Sequence, residues 1–128
     1  MNKRKLKLLV VDDEIDICNF VKSFFEVRGF SVAVALNGDE AMARFLEEVP
    51  DIVLLDMKMR RHNEGLEYLA RIKSEWPEVK VIMVTAVDET RSTETAKRLG
   101  ADDYVTKPLA LEYLEETVLN KVNDLRGV

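Results

Sequence analysis

The chain has little that would staple it, tether it or steer it to nucleic acid. It holds one cysteine, Cys18, so an internal disulfide is excluded and a reducing, cytoplasmic compartment is expected. Positive charge is in the minority: 19 Lys and Arg face 24 Asp and Glu, a formal net charge of −5, which argues against direct nucleic-acid binding. The apolar runs are strand-length, far below the roughly 18 residues that span a bilayer, so no membrane partner is expected. The basic start, Lys3 to Lys7, precedes only Leu8 to Val11 before Asp12-Asp13. It reads as a solvated lead-in and not as a signal peptide. Internal repeats, low-complexity stretches and linkers are also missing. What remains is one domain's worth of chain, 128 residues with 47% apolar and 34% charged, long enough to bury about two-thirds of its unfolded surface.

Strand and helix patterns alternate along this length. Leu6 to Val11 is a short apolar run that ends at two aspartates. Ile17, Phe20, Val21, Phe24 and Phe25 recur at helical spacing, and Gly29 stops that helix. Ser31 to Ala35 suits an edge strand. Asn37-Gly38-Asp39-Glu40 forms a capping box ahead of the stripe Ala41, Met42, Phe45, Leu46 and Val49. Ile52 to Leu55 is the most apolar strand and ends at Asp56. Leu66, Leu69, Ile72 and Trp76 mark a third helix, stopped by Pro77, and Val79 to Val84 a fourth strand, ending at Thr85. Thr90 to Leu99 carries three threonines and is a weak helix. Tyr104-Val105 is a short fifth strand. Leu111, Leu114, Val118, Val122 and Leu125 give the last amphipathic helix. Strands apolar on both faces belong in a parallel sheet covered on both sides. The predicted class is therefore α/β, an open doubly wound five-stranded parallel sheet.

In such sheets ligands bind at the carboxyl ends of the strands. Those ends carry Asp12-Asp13, Asp56, Thr85 and Lys107. Three carboxylates on one rim repel one another, and a divalent cation relieves this. An oxygen-only set without His or Cys selects a hard ion such as Mg²⁺. A carboxylate beside such an ion, an ammonium and a hydroxyl can attack phosphorus and form an acyl phosphate. Asp56, alone on a central strand, is the best nucleophile candidate, and Asp12-Asp13 are better placed for the metal. Taken singly, each residue has a plainer role: a helix cap for Asp12-Asp13, a turn for Asp56, loop chemistry for Lys107-Pro108, half-buried packing for Tyr104.

Four segments in order, Val10-Val11-Asp12-Asp13-Glu14, Ile52 to Met59 around Asp56, Val84-Thr85-Ala86 and Gly100 to Pro108, resemble the receiver domain of two-component response regulators. The resemblance covers essentially the whole chain, 1–128 with a core about 6–125, and leaves no output domain in it. It implies a flavodoxin-like sheet of order 2-1-3-4-5. It implies a signalling switch in which Asp56 accepts a phosphoryl group from a histidine kinase or phosphotransfer protein. Mg²⁺, or Mn²⁺ in its place, would be held by Asp12, Asp13, Asp56 and the carbonyl of Lys58. Lys107 would pair with the phosphoryl group, Thr85 would swing to bond it, Tyr104 would move inward, and Lys107-Pro108 would be cis. Output would lie with a protein or domain outside this chain, reached through the fourth helix, fifth strand and last helix. The chain would be no conventional enzyme, catalysing only its own phosphorylation and a slow aspartyl-phosphate hydrolysis tuned by Lys58 and Val87. Glu112, Glu115 and Glu116 on the last helix argue against a strong dimer there, leaving a monomer or weak dimer.

Two departures from the family pattern stand beside the site. Arg60 replaces the usual proline, and Gly65 arrives one residue late, after Arg61-His62-Asn63-Glu64. This predicts a longer, more basic and less restrained loop. His62 reads as solvated and Cys18 as inert. Three competing functions remain. A pseudo-receiver would use the fold only for protein interaction. A haloacid-dehalogenase-type phosphatase would want an acid where Lys58 stands. A nucleotide or flavin binder would want a Gly-rich turn after the first strand.

Overall fold

The structure is a computed structural model and describes residues 5–61, 63–86 and 90–125; Lys3, His62 and Val87 lie outside the described residues. Five strands, β1 (Lys7–Val11), β2 (Ser31–Ala35), β3 (Ile52–Asp56), β4 (Lys80–Thr85) and β5 (Asp103–Thr106), pair in parallel in the order β2-β1-β3-β4-β5. The helices between them are α1 (Ile15–Glu26), α2 (Gly38–Glu47), α3 (Glu64–Glu75) and α4 (Thr90–Arg98). The last helix, α5, runs through Leu111–Tyr113, a π-helical stretch Leu114–Val118, and Leu119–Leu125. The expected doubly wound, flavodoxin-like sheet is therefore the one observed.

Strand alternation divides the interior in two. Leu8, Val10, Ile52, Leu54, Ile82, Val84 and Val105 face α1 and α5, where Val21, Phe25, Leu114, Val118 and Val122 are buried. The intervening residues Leu9, Val11, Val53, Leu55, Val81 and Met83 face α2, α3 and α4, against Ala41, Phe45, Leu69, Ile72 and Ala96. Successive side chains point to opposite faces, so a central strand must be apolar throughout to serve both layers. β3 has no exposed residue.

Local signals set the element ends. Gly29 takes φ 94°. The amides of Gly29 and Phe30 return to the carbonyls of Glu26 and Phe25, with the Phe30 ring edge-on to Phe25 at 5.2 Å; this is a Schellman ending with its apolar contact. At α2 the Asn37 side chain accepts from the Glu40 amide at 2.9 Å, as a capping box requires, but Glu40 reaches back to the amide of Leu36 instead of Asn37. The Asp pair does not cap α1 from its N-cap position, which is Glu14; Asp12 instead accepts from the Glu14 amide at 2.9 Å. β5 is longer than its two apolar residues suggest. Asp103 is held by Lys121 at 2.9 Å, and Asp102 takes both Lys73 and the Val81 amide at 2.8 Å. Four stripe residues are exposed after all: Phe20, Leu46, Val49 and Leu111. Phe20, Leu46 and Leu111 fit the period of their helices without being covered, and Val49 follows the end of α2 at Glu47.

Candidate functional site

The strand order brings the predicted residues to one rim. Val11 of β1 pairs with Leu55 of β3, so Asp12 and Asp56 emerge side by side. Thr85 of β4 pairs with Thr106 of β5, and the Lys107 amide donates to the Thr85 carbonyl at 2.9 Å. Asp12 and Asp56 are both only 3% exposed, and Asp13 is open to solvent. The ammonium of Lys107 bridges the two buried carboxylates, 2.8 Å from Asp56 Oδ2 and 3.3 Å from Asp12 Oδ2. Asp56 Oδ1 accepts from the Lys58 amide at 3.2 Å. The Lys107-Pro108 peptide is cis.

Charge at this rim is not balanced. Burial pushes the Asp56 carboxyl up from 3.8 to about 6, with Asp12 adding to the rise and Lys107 only partly offsetting it. Burial works against the charge on Lys107, yet its hydrogen bond to Asp56 and the fields of Asp56 and Asp12 raise its pKa overall. One carboxylate oxygen from each of Asp12, Asp13 and Asp56 lies within 4.8 Å of the others. That donor set contains only oxygen, keeps one residue open to water, and fits a hard divalent ion such as Mg²⁺. One ammonium shared between two buried carboxylates leaves room for the two charges such an ion brings.

The remaining predicted residues are placed as follows. Thr85 is buried, and its hydroxyl donates to the Ala86 carbonyl at 3.3 Å. Tyr104 is not brought to the rim; it is 38% exposed, with the Lys97 ammonium 5.4 Å from its ring centroid. Cys18 lies directly below, its thiol 3.3 Å from the Asp12 carbonyl. Burial, and then the charge of Asp12, push that thiol up to about 11, which leaves it protonated and unreactive.

The structure corrects one expectation and adds one residue. Among its described residues, the loop after β3 is not loosely restrained. Glu64, the first residue of α3, is fully buried. Its Oε1 accepts from the amides of Arg60 and Arg61 at 3.1 and 3.3 Å. Its Oε2 accepts from the Gly38 amide at 3.3 Å and from the Arg60 guanidinium at 3.1 Å. Burial opposes its charge, but the Arg60 hydrogen bond and the Gly38 and Arg61 amides hold its pKa below the ordinary value. Gly65 follows because a Cβ there would collide with the Asp56 carbonyl oxygen and the Met57 backbone. Arg60 stands four residues before Glu64, but in a loop where that helical pairing rule does not apply, so the sequence pattern did not single Glu64 out.

Comparison with known proteins agrees with this arrangement. The family model described as "Response regulator receiver domain" matches residues 8–119. The transcriptional regulatory protein ZraR of Salmonella typhimurium is 34% identical over 92% of this chain, which spans 26% of that protein's length. The receiver domain of NtrX from Brucella abortus is 30% identical, with a TM-score of 0.82 over 94% of this chain and 99% of its own. A CheY-like receiver domain protein from Methanospirillum hungatei JF-1 is 28% identical, with a TM-score of 0.83 over 96% of this chain and 98% of its own. No helix among the described residues is long and apolar enough to cross a membrane.

Proposed function

The chain belongs to the response regulator receiver domain family, a family of phosphorylation-based signalling, and from that premise we propose that it is a switch phosphorylated on Asp56. The phosphoryl donor is a histidine kinase or phosphotransfer protein, and the setting is the cytoplasm. One observation carries this reading: three carboxylates and one ammonium converge at the strand ends, with Lys107 2.8 Å from Asp56.

An Asp56 carboxylate oxygen attacks phosphorus, the bond to the donor's imidazole nitrogen breaks with its electron pair leaving on that nitrogen, and an acyl phosphate remains. Lys107 moves its charge from the free carboxylate to the arriving phosphoryl oxygens. Asp12, Asp13, Asp56 and the Lys58 carbonyl are the ligands for Mg²⁺, which when bound neutralises charge on those oxygens. The modified Asp56 adds up to about two negative charges and three acceptors. The Thr85 hydroxyl, now spent on the adjacent Ala86 carbonyl, then has a stronger acceptor to turn to. That turn vacates space for the exposed Tyr104 to move inward, changing the face made by α4, β5 and α5. The output is a protein or domain bound through that face, and the chain itself is a monomer or weak dimer.

The test is incubation with acetyl phosphate and Mg²⁺, read by intact mass. A phosphoryl gain that disappears in Asp56→Asn supports the switch. A folded protein that never gains mass supports a pseudo-receiver that acts only by binding.

A further inference from the structure

Glu64 stands outside the phosphorylation chemistry, yet the loop that carries that chemistry is built around it. Four donors converge on its buried carboxylate: the amides of Arg60, Arg61 and Gly38, and the guanidinium of Arg60. They come from two separate places, the loop after β3 and the start of α2, and meet on the first residue of α3. The same loop is fixed at its other end by Asp56. The Met57 amide donates to Val84, the Lys58 amide to Asp56 Oδ1, and the Gly65 amide returns to the Met57 carbonyl at 3.0 Å. The loop is thus held by the Asp56 side chain and the Met57 backbone at one end and by the Glu64 side chain at the other, and Lys58 lies between them.

We propose that Glu64 is a positioning residue for the metal and phosphoryl site: its carboxylate gathers the Arg60-Arg61 turn and thereby sets where the Lys58 backbone faces Asp56. This rests on the reading of Asp56 as acceptor and of Asp12, Asp13 and Asp56 as metal ligands. A proline would restrain this turn through its ring; in this chain the restraint is a buried anion. Charge is essential to it, because a carboxylate offers two acceptor oxygens whereas the amide of glutamine offers one and turns an NH₂ group toward the remaining donors.

The test compares the wild type with Glu64→Gln, Arg60→Ala and Val122→Ala. Val122 is buried on the opposite side of the sheet and reports loss of stability without loss of the turn. Mg²⁺ affinity is read from the amide resonances of Asp13 and Lys58, and Tm is taken in parallel. Glu64→Gln is expected to weaken Mg²⁺ binding about tenfold, as loss of a group that orients a metal ligand does. Arg60→Ala should give a smaller fall in the same direction, and Val122→Ala none despite a lower Tm. Mg²⁺ affinity in Glu64→Gln within about twofold of wild type would overturn the proposal. If Glu64→Gln does not fold, Arg60→Ala decides by the same criterion, since its side chain is 54% exposed. Exposing the wild type to acetyl phosphate separates the two readings. A wild type that binds Mg²⁺ but never gains mass refutes the acceptor role of Asp56 and leaves the Glu64 comparison readable.

Discussion

Asp56 and Glu64 are buried carboxylates at the two ends of one loop, and they are treated in opposite ways. Glu64 receives four donors and is held in its charged form below the ordinary range. Asp56 receives the Lys58 amide and a lysine it shares with Asp12, and is pushed up to about 6. Burial costs both of them. The supply of donors decides the outcome: the satisfied carboxylate builds the scaffold, and the undersupplied one is left with affinity for a cation and an electrophile.

The contrast breaks most visibly at Glu64. Glu64→Gln should destabilise the chain by about 2–3 kcal/mol, because buried donors lose their acceptor. Urea denaturation reads this directly, and a loss below about 0.5 kcal/mol, the size of an ordinary surface substitution, would contradict the role of Glu64 as the acceptor those donors need. At Asp56 the sign reverses. Its proton is bound more tightly in the folded chain than at the ordinary value of 3.8. The folded state is therefore favoured below 3.8, and that contribution is lost as pH rises to about 6. Asp56→Asn should accordingly raise stability by about 2 kcal/mol at neutral pH without Mg²⁺. The gain should shrink to nothing as pH falls below 4, as pH-dependent denaturation curves of the two proteins would reveal.

Smaller effects sharpen the comparison. Mg²⁺ at about ten times its Kd should stabilise the wild type by about 1.4 kcal/mol, an effect that a chelator or Asp13→Ala removes in a thermal scan. The smallest effect concerns Lys58, the residue between the two carboxylates in sequence. If its ammonium pairs with the phosphoryl group, Lys58→Ala should shorten the phosphoprotein lifetime a few-fold, about 1 kcal/mol of barrier. An unchanged lifetime in that variant and in Val87→Glu would remove both residues from the hydrolysis step.

The sequence made one half of this comparison readable and hid the other. Asp12, Asp56, Thr85 and Lys107 stand where apolar runs end. In a parallel sheet those ends share an edge, so chain position translates into proximity. Glu64 opens α3, but its partners Arg60 and Arg61 lie in an irregular turn, where no period converts spacing into contact, and Gly38 is reached only through tertiary packing. The same reason explains the restrained loop, where proline's absence suggested freedom. Tyr104 was legible as a residue type but not in orientation, because several rotamers suit an edge strand. Leu46 and Leu111 fit a helical stripe and yet face solvent, since periodicity gives the direction of a face and not the width of the surface that covers it.

The opposed treatment of Asp56 and Glu64 is tested most directly by carbon-13 titration of their two carboxyl groups in Mg²⁺-free buffer. The account predicts Asp56 titrating at about 6 and Glu64 below its ordinary 4.5, with added Mg²⁺ drawing the Asp56 transition down and leaving Glu64 in place. An Asp56 transition at or below 3.8, or a Glu64 transition above that of Asp56, would contradict it.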